Sequence, residues 1–227
     1  MTDTVALRLA LQEERGPELA QRVARLLAPL SGEERALDAG CGTGALAIAL
    51  APRVREIVGV DAVEEYVAGA RERAPANCAF LVGDVTHLPF DYGEFDLVGC
   101  LRVLHHVHRP ELVVSELARV TRPGGRILVV DQLGLVDPIR TIELDRFERQ
   151  RDPTHERLLP DGDIRALLEA NDLVVVQNEI SRERRDLDRY FALAGVPEKE
   201  RERLQRQAPT AAREVEVGWY VARKPGG

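Results

Sequence analysis

At 227 residues the chain has room for one α/β core with modest insertions, and its net charge of −7 excludes a surface built around nucleic-acid phosphates. Its 3 cysteines, Cys41, Cys78 and Cys100, have no paired spacing, which leaves neither a disulfide framework nor a zinc site and suits a reduced compartment. No apolar run reaches the length of a membrane span and Met1–Thr4 does not read as a secretory signal, so a cytoplasmic protein is expected.

In chain order, the first 30 residues carry apolar side chains at helical spacing: Val5 and Leu9, then Leu19, Val23, Leu26, Leu27 and Leu30. The pattern is interrupted at Gly16-Pro17, which predicts two helices ahead of the first strand. Arg35-Ala36-Leu37 then meets Asp38, and Gly40, Gly42 and Gly44 follow on alternate positions before the helical run Ala45–Ala51. This is a strand, a tight turn and a helix start, and glycine lets backbone approach a ligand closely there. Glu56–Asp61 reads as a second buried strand ending in an acid, 23 residues after Asp38, a spacing that fits one strand-helix-strand unit. Cys78–Val85 is a third such unit containing Asp84, Phe95–Leu101 a fourth strand, and Arg122-Pro123-Gly124-Gly125 turns into a fifth, Arg126–Asp131. Asp161–Ala170 reads as a helix, Leu173–Val176 as the sixth strand and Val215–Ala222 as the last. Strands alternating with helices predict a parallel sheet with right-handed crossovers, and ligands bind beyond the carboxyl ends of such strands. Asp38, Asp61, Asp84 and Leu101 are therefore expected around one crevice. Residues 133–160 and 183–210 interrupt the alternation. The mixed-charge runs Ser181–Asp186 and Lys199–Arg203 are expected as solvated helix faces.

A dinucleotide fingerprint can be drawn through Gly40, Gly42 and Ala45, with Asp61 placed for a ribose. Asp38 argues against it, because a carboxylate at the mouth of the loop repels pyrophosphate and favours a cationic ligand. The segment Asp38-Ala39-Gly40-Cys41-Gly42-Thr43-Gly44 closely resembles the cofactor loop of the class I S-adenosylmethionine-dependent methyltransferases, and Pro123-Gly124-Gly125 before the fifth strand is typical of them. The resemblance is strong over residues 20–132 and holds in outline over 161–224. Its nearest familiar group is the small-molecule "type 11" or ubiquinone/menaquinone-biosynthesis-like enzymes, from whose quinone members this chain departs after strand four. It implies a Rossmann-like α/β fold: a seven-stranded, mostly parallel sheet of order 3-2-1-4-5-7-6, strand 7 antiparallel, with helices on both faces. It further implies a single domain over residues 1–227, with the N-terminal helices over the site and helical lid insertions on the substrate side. The cofactor would be S-adenosylmethionine, with S-adenosylhomocysteine as product. Asp38, Gly40, Cys41, Gly42 and Gly44 would cradle it, Asp61 and Ala62 would meet the ribose, Asp84 and Val85 would read the adenine edge, and Leu101 would line the crevice.

Methyl transfer from a sulfonium is an in-line displacement, so the protein's main task is alignment, with a base useful for a protic acceptor. The candidate bases follow strand four in Arg102-Val103-Leu104-His105-His106-Val107-His108, which the resemblance places opposite the transferred methyl. His155, in Arg151-Asp152-Pro153-Thr154-His155, is a third candidate for the acceptor side. His105, His106 and His108 lack the acid or cysteine that would complete a metal set, so no metal is expected. Arg102 can pair with an acidic ligand or within the protein. Phe147, Tyr190 and Phe191 are the aromatics available to an apolar acceptor, whereas Trp219 and Tyr220 belong to the core. The expected activity is methylation of a small molecule on oxygen, nitrogen or carbon. Its alternatives are methylation of RNA or protein, and cofactor binding without turnover.

Overall fold

In the computed structural model, which describes residues 3–226, seven strands form one sheet of order β3-β2-β1-β4-β5-β7-β6. They are β1 (Arg35–Ala39), β2 (Glu56–Asp61), β3 (Cys78–Val82), β4 (Phe95–Leu101), β5 (Thr121–Gln132), β6 (Val174–Arg184) and β7 (Glu214–Arg223). The first five strands pair in parallel, and β7 lies antiparallel between β5 and β6. This is the arrangement that the resemblance implies. Central strands of such a sheet are covered on both sides and read as apolar runs. Alternate residues accordingly serve two cores. Leu37, Val98, Ile127 and Val129 join one cluster, while Ala36, Leu97, Leu128 and Val130 join the other. The first is roofed by helices α4 (Pro110–Val120) and α6 (Asp161–Glu169), through Val113, Leu117, Ile164 and Leu168. The second is covered by α1 (Asp3–Leu26), α2 (Ala45–Leu50) and α3 (Glu64–Glu72), through Val23, Leu26, Leu46, Leu50 and Val67.

A third cluster stands apart from both. Helices α5 (Pro138–Arg151), α7 (Leu187–Ala192), α8 (Glu198–Gln207) and α9 (Thr210–Arg213) pool Leu144, Phe147, Leu187, Phe191, Leu204 and Ala212. The two interruptions seen in sequence thus fold onto each other. Each begins with an aspartate that caps its first helix: Asp137 accepts from the Ile139 amide at 2.9 Å, and Asp186 from the Asp188 amide at 3.1 Å. The aromatics expected to meet an acceptor go to this cluster instead: Phe147, 4 % exposed, and Phe191, 0 % exposed, fill it, and Tyr190 packs against it while its hydroxyl goes to Glu148. Trp219 and Tyr220 are core, as expected.

Four expectations need correction. The two N-terminal helices are one, because α1 runs through Pro17. A proline removes one backbone hydrogen bond, but Pro17 is solvent-exposed, and buried Val5 and Leu9 ahead of it and Val23 and Leu26 behind it anchor both halves. The third strand stops at Val82, since Asp84 folds the chain into a turn by accepting from the Thr86 amide at 2.8 Å. The Pro-Gly-Gly turn is looped out within β5, where Phe95 pairs with Thr121 and Leu97 with Arg126. Residues 181–184 form the end of edge strand β6 instead of a helix: it pairs with β7 along its length, and Arg182 and Arg184 meet Glu216 and Glu214 across the strands. Among the described residues no helix is long and apolar enough to cross a membrane.

Candidate active site

Most of the residues singled out from sequence lie at the carboxyl ends of β1, β2, β3 and β4. After β1 the chain turns on Gly40, Gly42 and Gly44, with φ of +76°, +52° and +84°. A Cβ on Gly40 would stand 2.3 Å from Val103 Cγ2, so both conformation and space exclude a side chain. Beside Gly42 nothing lies within 4 Å of a Cβ position, which leaves the loop crest open. The Gly40 and Cys41 amides donate to the Val60 carbonyl at 2.7 and 3.0 Å, and the Gly42 amide donates to Asp61 Oδ2 at 2.8 Å. Asp61 Oδ1 accepts from the Val63 amide at 2.9 Å, so this carboxylate braces the loop against β2. Ala62 is exposed beside it. Burial pushes the Cys41 thiol up, with the Asp38 and Asp61 charges adding to the effect, which keeps it protonated.

Asp38 lies beneath the loop, only 1 % exposed. Its Oδ2 accepts from the Ala47 amide at 2.9 Å in the first turn of α2, while Oδ1 is buried without a partner. Burial, and secondarily the Asp61 charge, raises its carboxyl to about 7. Asp84 is exposed and Val85 buried at the end of the β3 unit. Above the loop runs α1, where Gln12 Oε1 accepts from Thr43 Oγ1 at 3.0 Å and leaves Gln12 Nε2 buried and unpartnered. Glu14 reaches on to Arg189 of α7 at 2.6 Å, so the first helix and the second insertion meet.

On the far side of the crevice, half-buried Leu101 ends β4 and Arg102 takes φ +58°, its amide donating to the Val130 carbonyl at 2.7 Å. Its guanidinium pairs with Glu183 at 2.7 Å, the internal partner that the sequence allowed. One helical turn, Leu104–His106, then brings three histidines together: the His105 ring centroid is 4.2 Å from that of His106 and 5.6 Å from that of His155. Each is held by a different group. His105 Nδ1 meets Asp131 Oδ1, His155 Nε2 meets Asp145 Oδ1 at 2.8 Å, and His106 Nδ1 meets Thr154 Oγ1 at 2.9 Å. His155 is 2 % exposed, locked within the insertion, and Asp145 also accepts from the Leu158 amide at 2.9 Å. Burial would raise the Asp131 carboxyl, but the charge and hydrogen bond of His105 outweigh it and hold Asp131 below its ordinary range. His106 is driven the other way: burial, and next the neighbouring His105, lower it to about 4. Among the described residues no group of histidines, cysteines and acids is arranged to hold a metal ion.

Asp131, Asp145 and Thr154 were not picked out from sequence. Asp131 had a signal, since it ends an apolar strand as Asp38 and Asp61 do. Asp145 had none, and Thr154 stood only as a neighbour of His155 in the segment Arg151–His155 that the sequence singled out. Next to Asp131, Gln132 Oε1 accepts from Arg185, and Arg185 pairs at 3.0 Å with buried Glu148, which also holds Arg151 at 2.9 Å. The Tyr190 ring is stacked by both guanidiniums at 4.0 Å, and its hydroxyl donates to Glu148 at 2.7 Å. Burial would raise Glu148, but Arg185, Arg151 and Tyr190 together keep it below its ordinary range.

Comparison with known proteins agrees with this geometry. Residues 37–129 match a family described as a methyltransferase domain. The uncharacterized methyltransferase YcgJ of Bacillus subtilis is 37 % identical over 145 residues, which are 62 % of this chain and 57 % of that protein. The 27-O-demethylrifamycin SV methyltransferase of Amycolatopsis mediterranei is 36 % identical over 135 residues, 57 % of this chain and 49 % of the enzyme. The matches thus span about half the length of these curated relatives. The crystal structure of YcgJ superposes with a TM-score of 0.81 at 26 % identity, covering 92 % of this chain and 99 % of the other. The [4+2]-cyclase SpnF shares the fold, with a TM-score of 0.71 at 24 % identity over 92 % of this chain and 81 % of that one. Residues 37–129 thus match a methyltransferase domain, and over most of its length the chain is similar in sequence and fold to the methyltransferase YcgJ.

Proposed function

We propose that the chain is a cytoplasmic enzyme that transfers the methyl group of S-adenosylmethionine to a small-molecule acceptor. The observation that carries this is the loop after β1, where left-handed glycines leave an open crest above Asp38, whose buried Oδ1 has no partner. An orphaned buried carboxylate oxygen fits an ammonium group and repels pyrophosphate. Gly40, Cys41, Gly42 and Gly44 form the cradle, Asp61 and Ala62 take the ribose, Asp84 and Val85 the adenine, and Leu101 closes the floor. When bound, the cofactor supplies an activated methyl and its own leaving group. The residues of the chain align the two partners and keep water out, α1 over the donor side and the insertions over the acceptor side. His105, His106 and His155 stand on that acceptor side. Small-molecule acceptors fit the net charge of −7, and one relative is named for methylating a rifamycin.

Calorimetric titration with S-adenosylmethionine, S-adenosylhomocysteine and NADH tests the cofactor, with micromolar binding of the first two and none of the third as the expected result. Asp61→Ala is expected to weaken S-adenosylhomocysteine by about 1.5–3 kcal/mol. A change below tenfold would remove the ribose role. A second reading, cofactor binding in the service of another reaction, is favoured by one observation: SpnF carries the same fold under the name of a cyclase. Transfer of a labelled methyl group to a metabolite extract separates the two.

A further inference from the structure

The groups behind His106 form a directional chain. Asp152 Oδ1 accepts from the Thr154 amide at 3.0 Å and lies 2.6 Å from Thr154 Oγ1. Burial would raise the Asp152 carboxyl, but Thr154 and Arg151 outweigh it and hold it below its ordinary range, so it is ionised and only accepts. The single hydroxyl proton of Thr154 is therefore committed to Asp152. That leaves lone pairs alone on Thr154 Oγ1, 2.9 Å from His106 Nδ1, and the Thr154 carbonyl, 3.3 Å from the same nitrogen, also only accepts. Both contacts require a proton on His106 Nδ1. A neutral ring protonated there carries its lone pair on Nε2. His105 differs, because its Nδ1 faces the carboxylate of Asp131, which is 2 % exposed. Two adjacent histidines thus differ in role, one a fixed partner of a buried acid and the other an acceptor through Nε2.

We propose that Asp152 and Thr154 are positioning residues that set the tautomer of His106, so that His106 Nε2 takes the proton of an uncharged protic acceptor, a hydroxyl or neutral amine. This rests on the methyl-transfer reading. The acceptor atom forms its bond to the methyl carbon as the carbon–sulfur bond breaks with its electron pair left on sulfur, and the acceptor's proton passes to His106 Nε2 to give an imidazolium. The charged and titratable groups around the ring are His105 on its own turn, Asp131 from β5, and Asp152 and His155 from the segment after α5.

Nitrogen–proton correlation spectra of protein labelled with nitrogen-15 histidine read the tautomer directly, with the His106 signals assigned by their loss in His106→Gln. At neutral pH the full-length protein is expected to show an uncharged His106 protonated on Nδ1. Thr154→Val is expected to mix the two tautomers and Thr154→Ser to restore the first, while the His155 signals stay unchanged. A His106 ring protonated on Nε2, a charged ring, or a Thr154→Val spectrum like that of the parent overturns the proposal. The parent spectrum decides even if the valine variant does not fold. S-adenosylhomocysteine titrated into the same samples keeps the two ideas apart, since absent binding removes methyl transfer while the tautomer is still read.

Discussion

Asp38 shows how far a single side chain is legible. Its acidity in front of three glycines separates one nucleotide class from another, yet its place beneath the loop, with one oxygen on the Ala47 amide and one free, comes only from the fold. Burial raises its folded-state value from 3.8 to about 7, so the protonated carboxyl is favoured by folding. Its contribution to stability is full below the unfolded value and is lost as pH rises through the folded one. Chemical denaturation of the ligand-free protein is thus expected to show stability falling between about pH 4 and pH 7, with that slope flattened in Asp38→Asn. A slope unchanged in the variant would place the titration elsewhere. His105 and His106 were readable as candidates from their position after a strand. Their opposite environments were not, because Asp131, Asp152 and Thr154 come from 26 to 48 residues away.

At the level of elements, strands β1, β2 and β4 were legible nearly to the residue, since buried parallel strands are short apolar runs bounded by charges and glycines. The errors fell where tertiary contact overrides local pattern. Pro17 predicts a break, but packing on both sides carries α1 through it. Ser181–Arg184 has a helix-like charge pattern, but β7 offers it a full ladder. Helices α5, α7, α8 and α9 share a cluster whose largest fully buried ring is Phe191, 0 % exposed. Phe191→Ala is expected to cost about 3–5 kcal/mol. Hydrogen exchange should locate the loss in those helices while the amides of β1, β4 and β5 keep their protection. Equal loss of protection throughout the sheet would show that the cluster does not open on its own.

Across the whole molecule, the buried Gln132–Arg185–Glu148–Arg151 chain is one of the links that join sheet and insertions. Removing one member of such a chain leaves the others charged and unpaired in the interior. Glu148→Ala is expected to lower stability by about 3–5 kcal/mol, read as a fall in denaturation midpoint, with Glu148→Gln intermediate because it keeps an acceptor for Arg185. A variant as stable as the parent would show that water replaces the carboxylate there. The overall topology was open to inference from strand order and the glycine loop. The union of the two insertions was not, since α5 buries Asp145, Glu148 and Arg151 alongside its apolar residues and nothing in either stretch names its partner.

That union has a consequence for how such a protein diversifies. The third cluster has its own apolar interior, separate from the two that sandwich the sheet, and substitutions at distant sites with no shared partners add independently. Residues 133–160 and 183–212 therefore behave as a paired cartridge: exchanged together for the corresponding stretches of a relative, they bring the third interior with them, and only Leu133 and Leu159 have to match the sheet cluster they join, whereas exchanged singly they leave half of that interior exposed.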